Sequence, residues 1–239
     1  MKTILVTSLI LLMPLSAFAQ GGADKCVEKS EHEKITYFLV DRSDSFANKD
    51  NFNKTVTALK EMIESGERLV VGVSTAKAGD TRVLMDFAKP VESVWTSALK
   101  IRAQQKKFSE CLDSVAAELL NTEESYDHSA LLETIGFVSK ILSADPSAKK
   151  RMIIYSDMMQ NSSSISFYSA KELNTAALIK LAEKESLLAK LPQVEIYAAG
   201  TGANVSDKKS RDLEQFWQSY FEKAGASLKF FGPVLINMG

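Results

Sequence analysis

Residues 35–45 read ITYFLVDRSDS. The first six are β-branched, aromatic or aliphatic, and a short continuous apolar run of this kind predicts a strand that is buried on both faces. The run stops at Asp41, and Ser43 and Ser45 follow at alternate positions. Ligands of open parallel sheets bind at the carboxyl ends of the strands. The stretch therefore predicts a parallel sheet with a polar site at one edge.

The rest of the chain alternates between two patterns. Apolar residues have helical spacing in residues 51–64, 91–120, 130–142, 170–191 and 211–224, and short apolar runs occupy residues 68–75, 81–87, 151–156, 194–199 and 227–231. Alternation of strands and helices predicts an α/β domain with a Rossmann-like, doubly wound, mostly parallel sheet that helices cover on both faces. The run 81–87 follows 68–75 closely enough to pair back as a hairpin, which predicts one antiparallel edge strand.

The segment 91–120 exceeds the usual helix length of about 11–12 residues. We interpret it as a long helical elaboration of the domain, packed across it by Val94, Ile101, Phe108 and Leu112. Its polar residues Lys100, Gln104 and Lys107 are expected to face solvent.

The first 19 residues have the features of a secretory signal peptide. Lys2 precedes an apolar run over residues 4–18, and the small residues Ala17 and Ala19 flank Phe18. We expect cleavage after Ala19 and a periplasmic or secreted chain with no membrane span, the alternative being an uncleaved anchor. Residues 20–34 are expected to form a charged extension, and residues 35–239 one domain. The net charge of −1 gives no reason to propose nucleic acid or an anionic membrane as a partner.

The chain contains two cysteines, Cys26 and Cys111. In an oxidising compartment an even number of cysteines predicts a disulfide. The alternative is two unrelated thiols, with Cys111 buried on a helix.

Oxygen-bearing side chains follow two of the predicted strands. Asp41, Ser43 and Ser45 follow the first, and Asp157 follows the run 151–156, which brings them to the same edge of the sheet. Carboxylates and hydroxyls are hard ligands that suit Mg²⁺ or Mn²⁺. A conventional zinc site is poorly supported, because the chain has only two histidines and two separate cysteines.

This order of motifs resembles the von Willebrand factor A (vWA) domain family. Asp41, Ser43 and Ser45 match the family's Asp-x-Ser-x-Ser motif, which forms its metal-ion-dependent adhesion site. The run MIIYSD, ending at Asp157, is similar to the family's fourth strand. AAGTGA, residues 198–203, is similar to the turn after its fifth strand. The resemblance covers about residues 35–232.

The resemblance implies a ligand set. Ser43 and Ser45 would bind the ion directly, whereas Asp41 and Asp157 would act mostly through waters. In SYDHSAL, residues 125–131, Ser125 matches the family's middle ligand, and Ser129 is the alternative. Ser129 stands beside a predicted helix start, where it could equally be an N-cap.

Three residues depart from the family's pattern, and the first is Ser125, which stands in place of the middle threonine. Met158 stands where the family has glycine, so a different loop geometry is possible. Arg42 brings a positive charge next to the proposed cation.

The resemblance also implies a function. We expect an exported protein-binding module that holds Mg²⁺ or Mn²⁺ and engages an acidic side chain of a protein partner, and that is not an enzyme. One alternative is a metal-dependent phosphoester hydrolase that uses the same site. Another is a scaffold with the same fold and a decayed metal site, in which Asp41 and the nearby serines only cap the next helix.

Overall fold

The computed structural model describes residues 26–28, 32–42, 48–75, 79–91, 97–122, 129–168, 172–202 and 205–236. The predicted signal peptide and three predicted ligands, Ser43, Ser45 and Ser125, lie outside these ranges. No helix within them is long and apolar enough to span a membrane.

The described residues form one seven-stranded sheet and five helices. The strands are β1 (Val27–Glu28), β2 (Lys34–Val40), β3 (Glu67–Ser74), β4 (Thr81–Ala88), β5 (Lys149–Tyr155), β6 (Val194–Ala199) and β7 (Ser227–Gly232). The helices are α1 (Lys49–Met62), α2 (Ala98–Asn121), α3 (Leu131–Ala144), α4 (Thr175–Lys184) and α5 (Asp207–Ala224). The strand order is β1-β4-β3-β2-β5-β6-β7, and β3–β4 is the antiparallel pair among parallel neighbours. The predicted α/β fold class is confirmed.

Strand β2 lies at the centre of the sheet and explains the opening apolar run. It pairs in parallel with β3 on one side and β5 on the other, and residues 35–40 are all buried. Counted from β2, the strand order is that of doubly wound dinucleotide-binding folds, in which ligands bind where the order reverses. In this chain the order reverses at β2, so the favoured place for a site is the carboxyl end of β2 and β5.

Side chains of β2 alternate between two hydrophobic cores, as the period of a strand requires. Tyr37 and Leu39 join the core beneath α3, α4 and α5, which also contains Trp217. Phe38 and Val40 join the core beneath α1 and α2. Helices therefore cover both faces of the sheet.

The N-terminal residues are tied to the edge of the sheet. Val27 and Glu28 of β1 pair with Asp86 and Phe87 of β4, so β1 lies beyond the predicted antiparallel strand. Cys26 and Cys111 form a disulfide with Cα atoms 5.6 Å apart, which confirms the predicted pairing.

Most of the predicted long segment is one helix, α2. Ile101, Phe108 and Leu112 are buried as expected, whereas Val94 lies outside the described residues. Lys100 and Lys107 are exposed as expected and Gln104 is half-buried, and two of these side chains also contact the N-terminal strand. Gln104 and Lys107 both donate hydrogen bonds to the carboxylate of Glu28.

The helix predicted over residues 170–191 is shorter than expected, because both ends of α4 are capped. The Asn174 side chain accepts a hydrogen bond from Ala177 N and starts the helix. At the other end Ser186 has a φ of 58°. Ser186 N donates to Glu183 O and Leu187 N to Ala182 O, which is the hydrogen-bond pattern of a Schellman motif. The apolar spacing continues past this cap, but the helix does not.

Candidate functional site

The two predicted site carboxylates lie at the same edge of the sheet. Asp41 directly follows β2 and Asp157 lies two residues after β5, and these strands are paired through Val40 and Tyr155. Asp41 N donates a 2.9 Å hydrogen bond to Tyr155 O, which extends the ladder past the end of β2. Asp41 is 3% exposed and Asp157 is 7% exposed. The sequence therefore located both residues correctly, at the edge where the strand order reverses.

The Asp41 carboxylate accepts hydrogen bonds from three serine hydroxyls. Ser74 Oγ donates to Oδ1 at 3.1 Å. Ser129 Oγ and Ser156 Oγ donate to Oδ2 at 2.7 and 2.9 Å. Ser74 ends β3, Ser156 follows β5 and Ser129 precedes α3, so three separate elements converge on one carboxylate.

Two of these serines also accept a main-chain hydrogen bond. Ser74 Oγ accepts from Arg42 N at 3.1 Å, and Ser156 Oγ accepts from Met158 N at 2.9 Å. A hydroxyl has one proton and two lone pairs. Because the lone pairs face main-chain N–H groups, the proton is directed to Asp41, and this fixes the carboxylate's position.

Helix capping does not account for Asp41 or Ser129. The N-cap of α3 is Ala130, which makes no side-chain cap bond, and the Ser129 hydroxyl goes to Asp41 instead. The N-cap of α1 is Asn48, whose side chain accepts from Asn51 N at 3.0 Å. Both residues are therefore available to a polar site.

The turn after β5 has the conformation that glycine favours, although it contains methionine. Met158 has a φ of 63° and is completely buried. Asp157 Oδ1 accepts from Met159 N at 2.9 Å, and Met158 O accepts from Trp217 Nε1 at 2.9 Å. A non-glycine residue in this region costs about 1–3 kcal/mol. Packing and these hydrogen bonds hold Met158 in this conformation.

The glycines predicted after the fifth full-length strand are required where they stand. Gly200 and Gly202 have φ values of 86° and 81°. A Cβ atom on Gly200 would lie 3.1 Å from Ser156 O, closer than ordinary contact. Glycine thus allows the end of β6 to approach one of the serines that hold Asp41.

Arg42 is directed to the end of a helix. The residue is buried, and its Nη2 donates to the carbonyl of Thr122, the C-cap of α2. A cation is favoured at a helix C-terminus. The positive charge that the sequence placed beside the site is therefore held by α2.

Tyr155, the last residue of β5, connects the end of this strand to the start of α1. Its hydroxyl donates to Asn48 O at 3.1 Å, and burial raises the pKa of Tyr155 to about 12. The phenol therefore remains neutral at physiological pH and acts as a hydrogen-bond donor.

Sequence patterns did not reveal Ser74, Ser156 or Gln160. The two serines carried one usable signal, because each lies at or next to the end of a predicted strand at the edge that holds Asp41. Gln160 is buried and bonds to Leu132 N at the start of α3. Nothing in its local sequence distinguishes it from a surface glutamine.

The oxygens at this edge fit a hard divalent cation. Asp41, Asp157 and Ser129 supply carboxylates and a hydroxyl, which are ligands of Mg²⁺ or Mn²⁺. Over the described ranges no three His, Cys, Asp or Glu side chains are grouped closely enough to hold a metal ion.

No protein-family model and no curated protein sequence matches the chain. Solved structures that it resembles include the pilus adhesin SpaC from Lactobacillus rhamnosus GG, at 14% identity and a TM-score of 0.45, covering 81% of this chain and 27% of the adhesin. Manganese-loaded TRAP protein from Plasmodium vivax is similar at 18% identity and a TM-score of 0.41, and the match covers 80% of this chain and 63% of that one. A von Willebrand factor type A protein from Catenulispora acidiphila is similar at 13% identity and a TM-score of 0.39, and the match covers 84% of this chain and 39% of that one. The chain spans less than two thirds of the length of each of these three chains.

Proposed function

We propose that this chain is an exported protein-binding module that holds Mg²⁺ or Mn²⁺ at the carboxyl ends of β2 and β5. Asp41, Ser43, Ser45 and Asp157 are the proposed ligands, directly or through water. Ser125 is the middle ligand that the motif favours, and Ser129 is the alternative. The bound ion would leave a coordination position for an acidic side chain of a protein partner.

One observation carries this proposal: the buried Asp41 carboxylate and the Ser129 hydroxyl are in contact at the edge where the strand order reverses. Hydroxyls from β3, β5 and the start of α3 hold that carboxylate in place before any ion is present. A preorganised set of hard oxygens is what a weakly bound, partly hydrated Mg²⁺ requires.

The described residues at this edge have different roles in the proposed site. Asp41 is fixed by its serine donors, and Asp157 is fixed by its bond to Met159 N in the left-handed turn. When bound, the ion supplies the positive charge that attracts a partner's carboxylate. Arg42 does not take that role, because its guanidinium bonds to the end of α2.

Ion binding is tested by calorimetry and by thermal unfolding. A ligand that binds only the folded state stabilises it by about 2.7 kcal/mol at 100 times its dissociation constant. Mg²⁺ should therefore raise the melting temperature of the wild type, and EDTA should reverse the rise. Asp41→Ala should abolish the response, whereas Lys100→Ala, an exposed change on α2, should retain it. No heat of binding and no shift with either ion would refute the proposed metal site.

Partner binding is tested by capture on the immobilised protein with Mg²⁺ and with EDTA. We expect a protein that is retained only with Mg²⁺ and released when its acidic contact residue is neutralised. Turnover of generic phosphoester substrates that is lost in Asp41→Ala would instead assign a hydrolase. The proposed export is tested by the mass of the secreted chain, which should begin at Gln20.

A further inference from the structure

The first turn of α3 is capped by a residue from another part of the chain. Its N-cap, Ala130, has no side chain that can accept a hydrogen bond, and it makes none. Instead, Leu132 N donates to Gln160 Oε1 at 2.8 Å, across 28 residues of sequence. The first N–H groups of a helix need acceptors from outside the helix. Gln160 therefore provides an acceptor that the local sequence does not.

Both the oxygen and the nitrogen of the Gln160 carboxamide form hydrogen bonds. Its Nε2 donates to Glu133 Oε2 and to Ser162 Oγ, both at 3.0 Å. Reversing the amide would direct its NH₂ group at the N–H of Leu132 and its oxygen at the Glu133 carboxylate. The hydrogen-bond partners therefore fix its orientation. The residue is completely buried, which makes every one of these bonds costly to lose.

Gln160 also belongs to the loop that carries Asp157. Its neighbour, Asn161, donates from its N–H to Ser129 O at 2.6 Å. The loop after β5 is thus joined to Ser129 by one main-chain bond and to the first turn of α3 by two bonds of the Gln160 side chain. Asp157 lies on one side of this junction, and Ser129 with its bond to Asp41 lies on the other.

We propose that Gln160 is a positioning residue of the candidate metal site, which fixes the Ser129 segment against the Asp157 loop by capping α3 from the loop. The proposal rests on the proposed function, because the site that Gln160 positions is the ion site. The carboxamide of Gln160 bonds to Leu132, Glu133 and Ser162 and is not a proposed ligand. It acts through the helix start and through the loop.

The first test is the Mg²⁺ dissociation constant, measured by calorimetry on folded protein well below the melting temperature. Gln160→Met keeps the length and removes all the hydrogen bonds. We expect it to weaken Mg²⁺ binding by about 10–100-fold, the range found when partners behind metal ligands are lost. Thr36→Val is the control, because it removes a buried side-chain bond to Glu67 at the opposite end of β2. The control should lower stability and leave the Mg²⁺ affinity within about 2-fold, the variation expected of an independent distant site.

A pair of variants keeps the test decisive if Gln160→Met does not fold. Gln160→Glu retains an acceptor for Leu132 N but sets a carboxylate against Glu133. Combining it with Glu133→Gln restores donor and acceptor in exchanged positions. The double variant should recover most of the Mg²⁺ affinity that Gln160→Glu loses. Equal affinities for the single and double variants, or wild-type affinity in Gln160→Met, would overturn the proposal.

Hydrogen exchange in the metal-free protein separates this inference from the proposed function. Exchange of the Leu132 and Asn161 amides should accelerate together in Gln160→Met and remain unchanged in Thr36→Val. A wild type that binds no Mg²⁺ would refute the ion site, and the exchange rates would still report whether Gln160 joins the two segments. Unchanged exchange at Asn161 would refute the positioning role whatever the ion does.

Discussion

The hydroxyl of Ser129 donates a 2.7 Å hydrogen bond to Asp41 Oδ2, although 88 residues separate the two in sequence. The bond joins the end of the central strand β2 to the start of α3. Both residues are buried, and the acceptor is a carboxylate. Hydrogen bonds to a charged acceptor are the stronger kind, so this contact contributes both to stability and to the geometry of the candidate site.

We expect Ser129→Ala to destabilise the metal-free protein by about 2 kcal/mol, because a buried carboxylate loses a hydrogen bond. It should also weaken Mg²⁺ binding if Ser129 is the middle ligand. Urea unfolding measures the first effect and calorimetry the second. Ser125→Ala is the matched variant. If Ser125→Ala alone weakens Mg²⁺ binding, Ser125 is the ligand and Ser129 only supports Asp41.

Because Met158 has a left-handed conformation, we expect Met158→Gly to be less destabilising than Met158→Ala. Both Met158→Ala and Met158→Gly empty a fully buried site, which costs about 2–5 kcal/mol. Only glycine relieves the positive φ of 63°, which costs a non-glycine residue about 1–3 kcal/mol. Met158→Gly should therefore be the more stable of the two in urea unfolding, the reverse of the usual preference.

Met159 provides the control for this pair. It is also buried, but it is not among the described non-glycine residues with positive φ. Met159→Ala should be more stable than Met159→Gly by about 0.5–1 kcal/mol. The same order at both positions would mean that the turn after β5 carries no strain.

The disulfide predicts a large effect on stability. Cys26 and Cys111 are 85 residues apart, and closing a loop of that size stabilises by about 4 kcal/mol in the chain-entropy model. Cys111→Ser should lower the melting temperature and release the pairing of β1 with β4. Thiol labelling of the denatured, unreduced wild type should find no free cysteine. Two labelled thiols per chain would contradict the pairing.

The lowered pKa of Asp145 predicts that the protein loses stability in acid. Burial alone would raise its pKa, but hydrogen bonds from Ser147 and His32 outweigh that effect, so the pKa of Asp145 lies below its ordinary value of 3.8. Arg68 Nη1 also contacts this carboxylate at 2.7 Å. Because the folded state has the lower pKa, the contribution is complete above about pH 4 and is lost as pH falls towards the folded-state pKa.

Asp145→Asn should therefore flatten the decline of the urea midpoint below about pH 4, close to the ordinary carboxyl pKa. Glu172→Gln is the control. Its carboxylate also pairs with a lysine, Lys208, but both groups are exposed, and solvent screens such pairs. If the urea midpoint of Asp145→Asn declined in acid as steeply as that of the wild type, Asp145 would not be the source of the acid sensitivity.

The sequence by itself determined the architecture and the sheet edge at which Asp41 and Asp157 lie. Hydrophobic period and length distinguish strands from helices, and their alternation leaves few topologies open. Asp41 and Asp157 could be placed at one edge because each ends a strand of the same parallel sheet. The disulfide followed from an even cysteine count and a predicted export signal. Each of these inferences uses information that lies within a few residues or in the composition.

Only the tertiary structure decided what surrounds the Asp41 carboxylate. Its donors Ser74 and Ser156 lie 33 and 115 residues away in sequence. Which hydroxyls reach it depends on strand order and register, and a serine carries little local signal of either. Gln160 caps α3 for the same reason, from 28 residues away. The early end of α4 was decided by a capping turn at Ser186, which apolar spacing does not encode, because periodicity reports the face of a helix and the cap decides where it stops.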